Sequence, residues 1–125
     1  EMTTTPDGER AVVAATISVS AQNQAVPEPL MLTNLVLGGS GLNLPGLNNT
    51  GLLVNTTGRV TETGAGYFVL DDGSSVGVKV ITTGLTNPVT GRQVKVPDIR
   101  ATYRIGSVSY RLIRTRTQAD IVTID

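Results

Sequence analysis

Asp71 and Asp72 are the only adjacent carboxylates in the chain, so they are the first candidates for metal or acid–base chemistry. Calcium takes about six to eight oxygen ligands, and the ligand spacing of an EF-hand loop is absent around this pair. Asp-Gly between two apolar runs is instead a strong signal for a hairpin turn, in which the Asp side chains bond their own backbone. The pair therefore predicts a turn and no metal site.

The sequence offers few residues that could act in nucleophilic catalysis, because the chain contains neither histidine nor cysteine. That excludes thiol nucleophiles, disulfides, imidazole bases and the usual zinc sites. Serine and threonine are abundant, but nothing in the spacing places either lysine, Lys79 or Lys95, beside a serine that it could activate. The sequence therefore predicts a protein that is not an enzyme and that carries no cofactor.

Arginine supplies the remaining candidate site. Residues 92–116 contain seven basic residues and one acid. On the predicted strands, Arg100 and Arg104 share one strand face, and so do Arg114 and Arg116. Together these four residues form a candidate ligand face for an oligosaccharide or a single-stranded nucleic acid.

The aromatic residues do not support a nucleic-acid partner for this face. Proteins that bind single strands stack bases on aromatic rings, and the predicted second and third strands offer only Tyr67 and Phe68. Oligosaccharide remains open, although the chain has no tryptophan to stack on a sugar. There are two simpler interpretations: the arginines are exposed to water, or they form salt bridges with acids. The acids available for such pairing are Glu1, Asp7, Glu9 and Glu28.

The elements that position these residues are predicted to be strands. The length of 125 residues fits one domain, and Val and Thr, which favour strands, are frequent. From residue 51 onward, short apolar alternations are separated by Gly-rich turns, which is typical of an all-β domain. Residues 92–105 change phase: Val94 and Val96 are even, whereas Ile99 and Ala101 are odd. A β-bulge at residues 97–98 would return both sets to one face.

An uncharged stretch precedes these strands. Between Ala11 and Gly58 the one charged residue is Glu28, and a surface normally carries more charge than that. Residues 10–20 alternate like a half-buried strand, with one apolar face. That face consists of Val13, Ala15, Ile17 and Val19. Prolines and glycines interrupt the rest, so a membrane-spanning helix is not expected, and residues 30–50 predict a packed loop with one helical turn.

Several motifs from residue 30 onward resemble those of OB-like modules in secreted bacterial proteins. They are 51–54 (Gly-Leu-Leu-Val), 58–60 (Gly-Arg-Val), 67–74 (Tyr-Phe-Val-Leu-Asp-Asp-Gly-Ser), 77–80 (Gly-Val-Lys-Val) and 119–122 (Ala-Asp-Ile-Val), with a lead-in at 32–34 and 38–39. The resemblance implies a five-stranded OB-like barrel and an extracellular or cell-surface setting in a prokaryote. It implies no ligand. The fourth strand departs from the family pattern at Pro97 and Asp98.

The sequence thus divides into residues 1–29, a tail and an additional N-terminal strand, and residues 30–125, the OB-like module with its packed loop. Two interpretations of the additional strand remain open. It could cover its own barrel, or it could complete the sheet of another copy. We expect a non-enzymatic extracellular structural protein that self-associates and, by head-to-tail strand donation, forms filaments. The alternative is a module that binds oligosaccharide or single-stranded nucleic acid through the arginine face.

Overall fold

The computed structural model of the protein describes residues 1–6, 10–14, 16–42, 44 and 46–124. Nine strands are assigned in these residues: β1 spans Met2–Thr4, β2 Arg10–Val12, β3 Leu30–Met31, β4 Leu53–Gly64, β5 Tyr67–Asp71, β6 Val78–Ile81, β7 Gln93–Ile105, β8 Val108–Arg114 and β9 Val122–Thr123. Short 3-10 turns cover Asn34–Val36, Gly39–Leu42 and Gln118–Asp120. No helical turn in this described part has the length and apolar character needed to cross a bilayer. The fold is all-β.

Hydrogen bonds run around the main sheet as a ring. Seven strands are joined in the order β3-β4-β5-β6-β8-β7-β9, and an additional pairing joins β4 to β7. The β6–β8 pair is parallel, whereas β4–β5, β5–β6, β7–β8 and β4–β7 are antiparallel, so the sheet is mixed. The short strands β3 and β9 lie outside the ring, on β4 and β7 respectively.

The long strand β4 closes the ring because it changes partner along its length. Its first half pairs with β7 and its second half with β5, and both partners meet it at Arg59. Gly58 lies at this changeover, where a Cβ atom would come within 2.5 Å of the backbone oxygen of Asp71. No other residue type allows that approach without a shift of the backbone. Gly58 therefore lies at the position where two strands converge on β4.

The core inside the ring is aliphatic except for Phe68. Its buried members are Leu37, Val54, Val60, Phe68, Leu70, Val78, Val80, Val94, Val96 and Ile113. All except Leu37 come from β4 to β8, at alternate positions of each strand, which is the period that one buried sheet face produces. Leu37 comes from the loop before β4, so this loop covers part of the core.

Asn34 fastens that loop to the sheet. The side chain is fully buried, and its Nδ2 donates to the carbonyl oxygens of Leu70 and Val76, at 2.8 Å each. Its Oδ1 accepts from the Thr56 hydroxyl at 2.9 Å, and its backbone N–H donates to the Asp72 carboxylate at 2.8 Å. Because every polar group of the side chain is paired, its burial carries no unsatisfied donor or acceptor. The predicted packed loop is therefore present and firmly held.

The predicted β-bulge at residues 97–98 is wrong. β7 pairs with β4 without a register shift from Gln93 to Ile99, and then with β8 from Ile99 to Ile105. The even positions continue to face inward, so Asp98 and Arg100 are buried beside Val96. The apolar pattern changes phase because the interior accepts two charged side chains, and the backbone itself continues without interruption.

The predicted strand at residues 10–20 is also shorter than expected. Arg10–Val12 forms β2, which pairs with β1 in a separate two-stranded sheet, whereas residues 13–14 and 16–29 have no strand assignment. The small sheet is continued by a hydrogen bond of 2.7 Å from the Val13 amide to the Glu1 carbonyl. The structure therefore does not use this segment to complete its own ring of strands.

Candidate self-association surface

Residues 11–29, called here the N-terminal segment, expose their apolar side chains. Ile17 is 85% exposed, and Val12, Val13, Val19 and Val26 are each exposed by more than half. Ala15, the fourth member of the predicted apolar face, lies outside the described residues. The apolar face that the sequence predicted to be covered is therefore open to solvent at Val13, Ile17 and Val19. Scattered exposed apolar residues are normal, whereas several of them within one short segment make that segment a candidate interaction site.

Arg100 is not an open ligand residue. It is 1% exposed and is the largest of the fully buried side chains. Its Nη1 donates to the Thr50 hydroxyl at 3.0 Å, and its Nη2 lies 2.6 Å from the position that a Cβ of Gly38 would occupy. Its backbone also pairs with Gly51 and Leu52 just before β4. Arg100 therefore supports the loop that leads into β4, and this corrects its assignment to an accessible ligand face.

Arg111 fastens the same loop from β8, a role that the sequence did not reveal. Its Nε donates to the Leu37 carbonyl at 3.0 Å, and its Nη2 donates to the Leu35 carbonyl at 3.2 Å. Burial lowers the pKa of this guanidinium from its usual value. Carbonyls at the end of a single helical turn have no partner within the turn, and the planar fork of an arginine can satisfy two of them. The contact spans more than 70 residues, so no local pattern could have predicted it.

Arg116 pairs with acids from two elements. Its Nε lies 3.1 Å from the fully buried Asp98 carboxylate, and its Nη2 lies 3.6 Å from Asp120. Asp98 also accepts backbone hydrogen bonds from Ile99 and Arg116. Burial raises the pKa of Asp98, although these bonds and the Arg116 charge act to lower it. Burial also acts to raise the pKa of Asp120, but hydrogen bonds from Thr117 and the Arg116 charge lower it overall.

The four predicted arginines therefore do not form one open face. Arg100 is buried and Arg116 is paired with acids, whereas Arg114 is exposed at the end of β8. The side chain of Arg104 lies outside the described part of the chain. Two of the four arginines therefore make contacts within the fold.

The β7–β8 hairpin extends beyond the region where the strands close the ring. β8 pairs with β7 along its whole length, but with β6 only from Leu112 to Arg114. Along Val108–Arg111 its other edge therefore has no partner strand among the described residues. Gly106 makes the connecting turn with φ +60°, which suits the first central position of a type II′ turn.

A groove lies between this open edge of β8 and the neighbouring strands β5 and β6. It contains all three tyrosines of the chain, and its volume is about 440 Å³. The rings of Tyr103 and Tyr110 stack with centroids 4.9 Å apart, and the Lys79 ammonium lies 3.9 Å from the Tyr67 centroid. The Tyr67 hydroxyl donates to Glu62 at 2.7 Å, which raises the pKa of Tyr67. We call this feature the tyrosine groove.

The sequence did not predict the tyrosine groove, because its residues come from strands that are far apart along the chain. Tyr67 is on β5, Lys79 on β6, Tyr103 on β7 and Tyr110 on β8. One indication of the groove was present in the sequence, because each of these residues lies at an outward position of its strand, opposite to the core positions. Only the strand order shows that these outward positions are neighbours.

A second groove is polar and differs in character. Its volume is about 480 Å³, and its lining residues are Thr57, Gly58, Arg59, Thr61, Asp71, Asp72, Gly73 and Gln93. Asp71 and Asp72 behave as the predicted turn, since they accept backbone hydrogen bonds from Gly73 and Ser74 respectively. Within the described ranges, no three Asp or Glu residues come together in a way that could hold a metal ion.

The whole chain was also compared with known proteins. Neither the protein-family models, nor the curated proteins, nor the solved structures gave a match.

Proposed function

We propose that this chain is a non-enzymatic structural protein of the cell exterior that self-associates by donating its N-terminal segment to a neighbouring copy. The observation that carries the proposal is the exposure of Val13, Ile17 and Val19 in a segment that its own sheet leaves uncovered. Residues 11–12 pair with β1, and Val13 bonds to Glu1, but the described residues that follow have no strand partner and are suited to completing another sheet. The backbone of such a segment supplies hydrogen bonds, and its alternate side chains supply the register.

The energy available to such a contact is substantial. Fully burying one Val or Ile side chain is worth about 1.5–3 kcal/mol. Three such residues offset much of the entropy lost when an extended segment becomes ordered on a partner. Donation from one copy to the next leaves the segment of the second copy free to bind a third. Contacts of this head-to-tail kind do not close unless the rotation allows it, so the expected product is a filament.

The proposal includes a finer assignment of the fold as a five-stranded OB-like barrel, β4 to β8. The ring order supports it: the long first strand β4 pairs with the second and the fourth strands, and the third and fifth strands pair in parallel. A barrel of this kind has few open edges of its own, so an added strand must find one where the ring is incomplete. A setting outside the cell is supported by the resemblance of the sequence to modules of secreted bacterial proteins.

Charge supports an oriented contact between copies. Residues 1–29 contain four acids and one arginine, whereas residues 92–116 contain seven basic residues and one acid. Opposite charges on donor and acceptor orient the encounter more than they strengthen the final complex. The acidic end of one copy is thereby directed toward the arginine-rich strands of the next.

Deleting residues 1–20 tests the proposal directly. The full chain is expected to form large particles in light scattering and filaments in negative-stain electron microscopy. The shortened chain is expected to stay a folded monomer, because the ring of strands does not use these residues. Filaments formed by the shortened chain, or a full chain that remains a strict monomer at high concentration, would contradict strand donation.

A further inference from the structure

We infer that the acceptor for the donated segment is the open edge of β8, at Val108–Arg111, and that the apolar side chains of a second copy fill the tyrosine groove beside it. The inference rests on the proposed function, since it names the surface at which that self-association occurs. Three observations on the described residues support it: the open edge, the apolar lining of the groove, and the charge of the two partners.

The open edge offers backbone hydrogen bonds. In a hairpin with a two-residue turn, the pair that flanks the turn is hydrogen-bonded, and such pairs alternate along the strands. Val108 and Tyr110 therefore bond to Ile105 and Tyr103 on β7. The N–H and C=O groups of Ser109 consequently point to the opposite edge, where an added strand would bond to them. The Arg111 carbonyl points the same way, but β6 begins to pair there, at Lys79. This four-residue edge is about 13 Å long at ~3.3 Å per residue, so it matches a short donated strand.

The lining of the groove suits an apolar donor. Val69 and Val108 contribute aliphatic surface, and the stacked rings of Tyr103 and Tyr110 contribute aromatic surface. Val108 is 52% exposed and Tyr110 is 39% exposed, so apolar area remains to be covered there. The second groove, which is lined by polar residues and glycines, offers no comparable surface for Ile17.

The charge of the groove fits a second copy as its occupant. Lys79 and Arg111 lie on the groove and Arg114 is exposed at the end of β8, whereas Glu62 is the acid on the lining. The donated segment brings no charge between Ala11 and Pro27 and is preceded by acids. Apolar residues therefore meet the apolar lining, and the acidic end of the donor meets the cations around it.

Disulfide trapping between two pools of protein tests this inference. The chain has no cysteine, so one pool carries a single cysteine at Ile17, Ser18 or Val19, which samples both faces of a strand, and the other carries Val108→Cys. Because the two cysteines are on different molecules, a mixed disulfide reports only contact between copies. A disulfide forms when the Cα atoms are within about 7 Å, as they are across paired strands. The matched control is Val89→Cys, at a residue that is 72% exposed and outside the groove.

We expect at least one donor position to form a mixed disulfide with Cys at 108 about tenfold faster than with Cys at 89, because pairing raises the effective concentration of the two thiols. Equal rates in a chain that forms filaments would overturn the β8 acceptor and leave self-association standing. Absence of assembly in light scattering would instead overturn the proposed function. If reduced Val108→Cys is folded but does not assemble while Val89→Cys does, the edge at Val108 is required, which also supports the inference.

Discussion

The substitution Ile17→Ala tests the role of the N-terminal segment in assembly without changing the rest of the fold. Ile17 is 85% exposed in the isolated chain and lies in a part of it that has no strand assignment. A substitution at an exposed surface position usually changes the free energy of unfolding by less than about 0.5 kcal/mol. We therefore expect the monomer to unfold at an unchanged denaturant concentration.

The effect on assembly should be much larger. Ile→Ala removes three carbon groups, each worth about 0.8 kcal/mol when it is buried, so each contact between copies loses about 2–2.5 kcal/mol. That loss corresponds to an increase of about 30- to 70-fold in the dissociation constant for adding one subunit. The same factor should appear in the lowest protein concentration at which filaments persist.

Sedimentation of filaments over a range of protein concentrations measures this threshold. The control is Val89→Ala, which removes two carbon groups from a residue that is 72% exposed and lies outside the N-terminal segment. If Ile17→Ala and Val89→Ala shift the threshold equally, the segment is not the donor. If Ile17→Ala lowers the free energy of unfolding of the monomer by more than about 1 kcal/mol, the segment packs on its own sheet, and its exposure in the monomer is contradicted.

Two further predictions concern the fold that presents this surface. Asn34→Leu should lower the free energy of unfolding by about 2–4 kcal/mol in urea titrations, because it leaves buried carbonyls and a hydroxyl without partners, whereas Thr33→Ala on the exposed side should have little effect. Arg116→Gln should cost about 1–2 kcal/mol at neutral pH, more than the exposed control Arg114→Gln, because it leaves the buried Asp98 carboxylate without its cation. Burial already raises the pKa of Asp98, so the stability that this group contributes is fully present below the usual carboxyl pKa. That contribution is lost as the pH rises through the raised pKa. Loss of Arg116 raises this pKa further, so the defect should shrink as the pH falls toward about 4; a defect in thermal unfolding that is equal at both pH values would contradict the ion pair.

The apolar periodicity of the sequence predicted the strands that form the ring, but it did not predict which side chains of β7 are buried. The alternation places Leu52, Val54 and Val60 on one face and Val76, Val78 and Val80 on another. Leu52 is 49% exposed and Val76 is half-buried, whereas the other four are fully buried, as are Phe68 and Leu70 on β5. β7 fails the same rule because Asp98 and Arg100 occupy inward positions. Their burial is possible only because partners arrive from other elements, Arg116 from the C-terminal turn and Thr50 from the loop before β4. A period-two pattern has no means of representing such distant partners.

The N-terminal segment shows a related limit. Its alternation predicts a stretch that is suited to strand pairing, whereas only residues up to Val12 pair within the described chain. Alternation records which side chains need cover, and it says nothing about which molecule provides the cover. The tyrosine groove was missed for the complementary reason, since its parts become neighbours only through the strand order.

The anchoring of the loop after the N-terminal segment has a consequence for the geometry of any filament. β3 is fixed on β4 at Leu30, and the loop that follows is held by Asn34 and by Arg111. The thirteen peptide units from Ile17 to Leu30 span at most about 47 Å when fully extended, at about 3.3–3.6 Å per residue. The site on the acceptor subunit that binds Ile17 must therefore lie within that distance of Leu30 of the donor subunit. The tether sets an upper limit on the offset between successive subunits, and helical reconstruction of the filament can measure that offset directly.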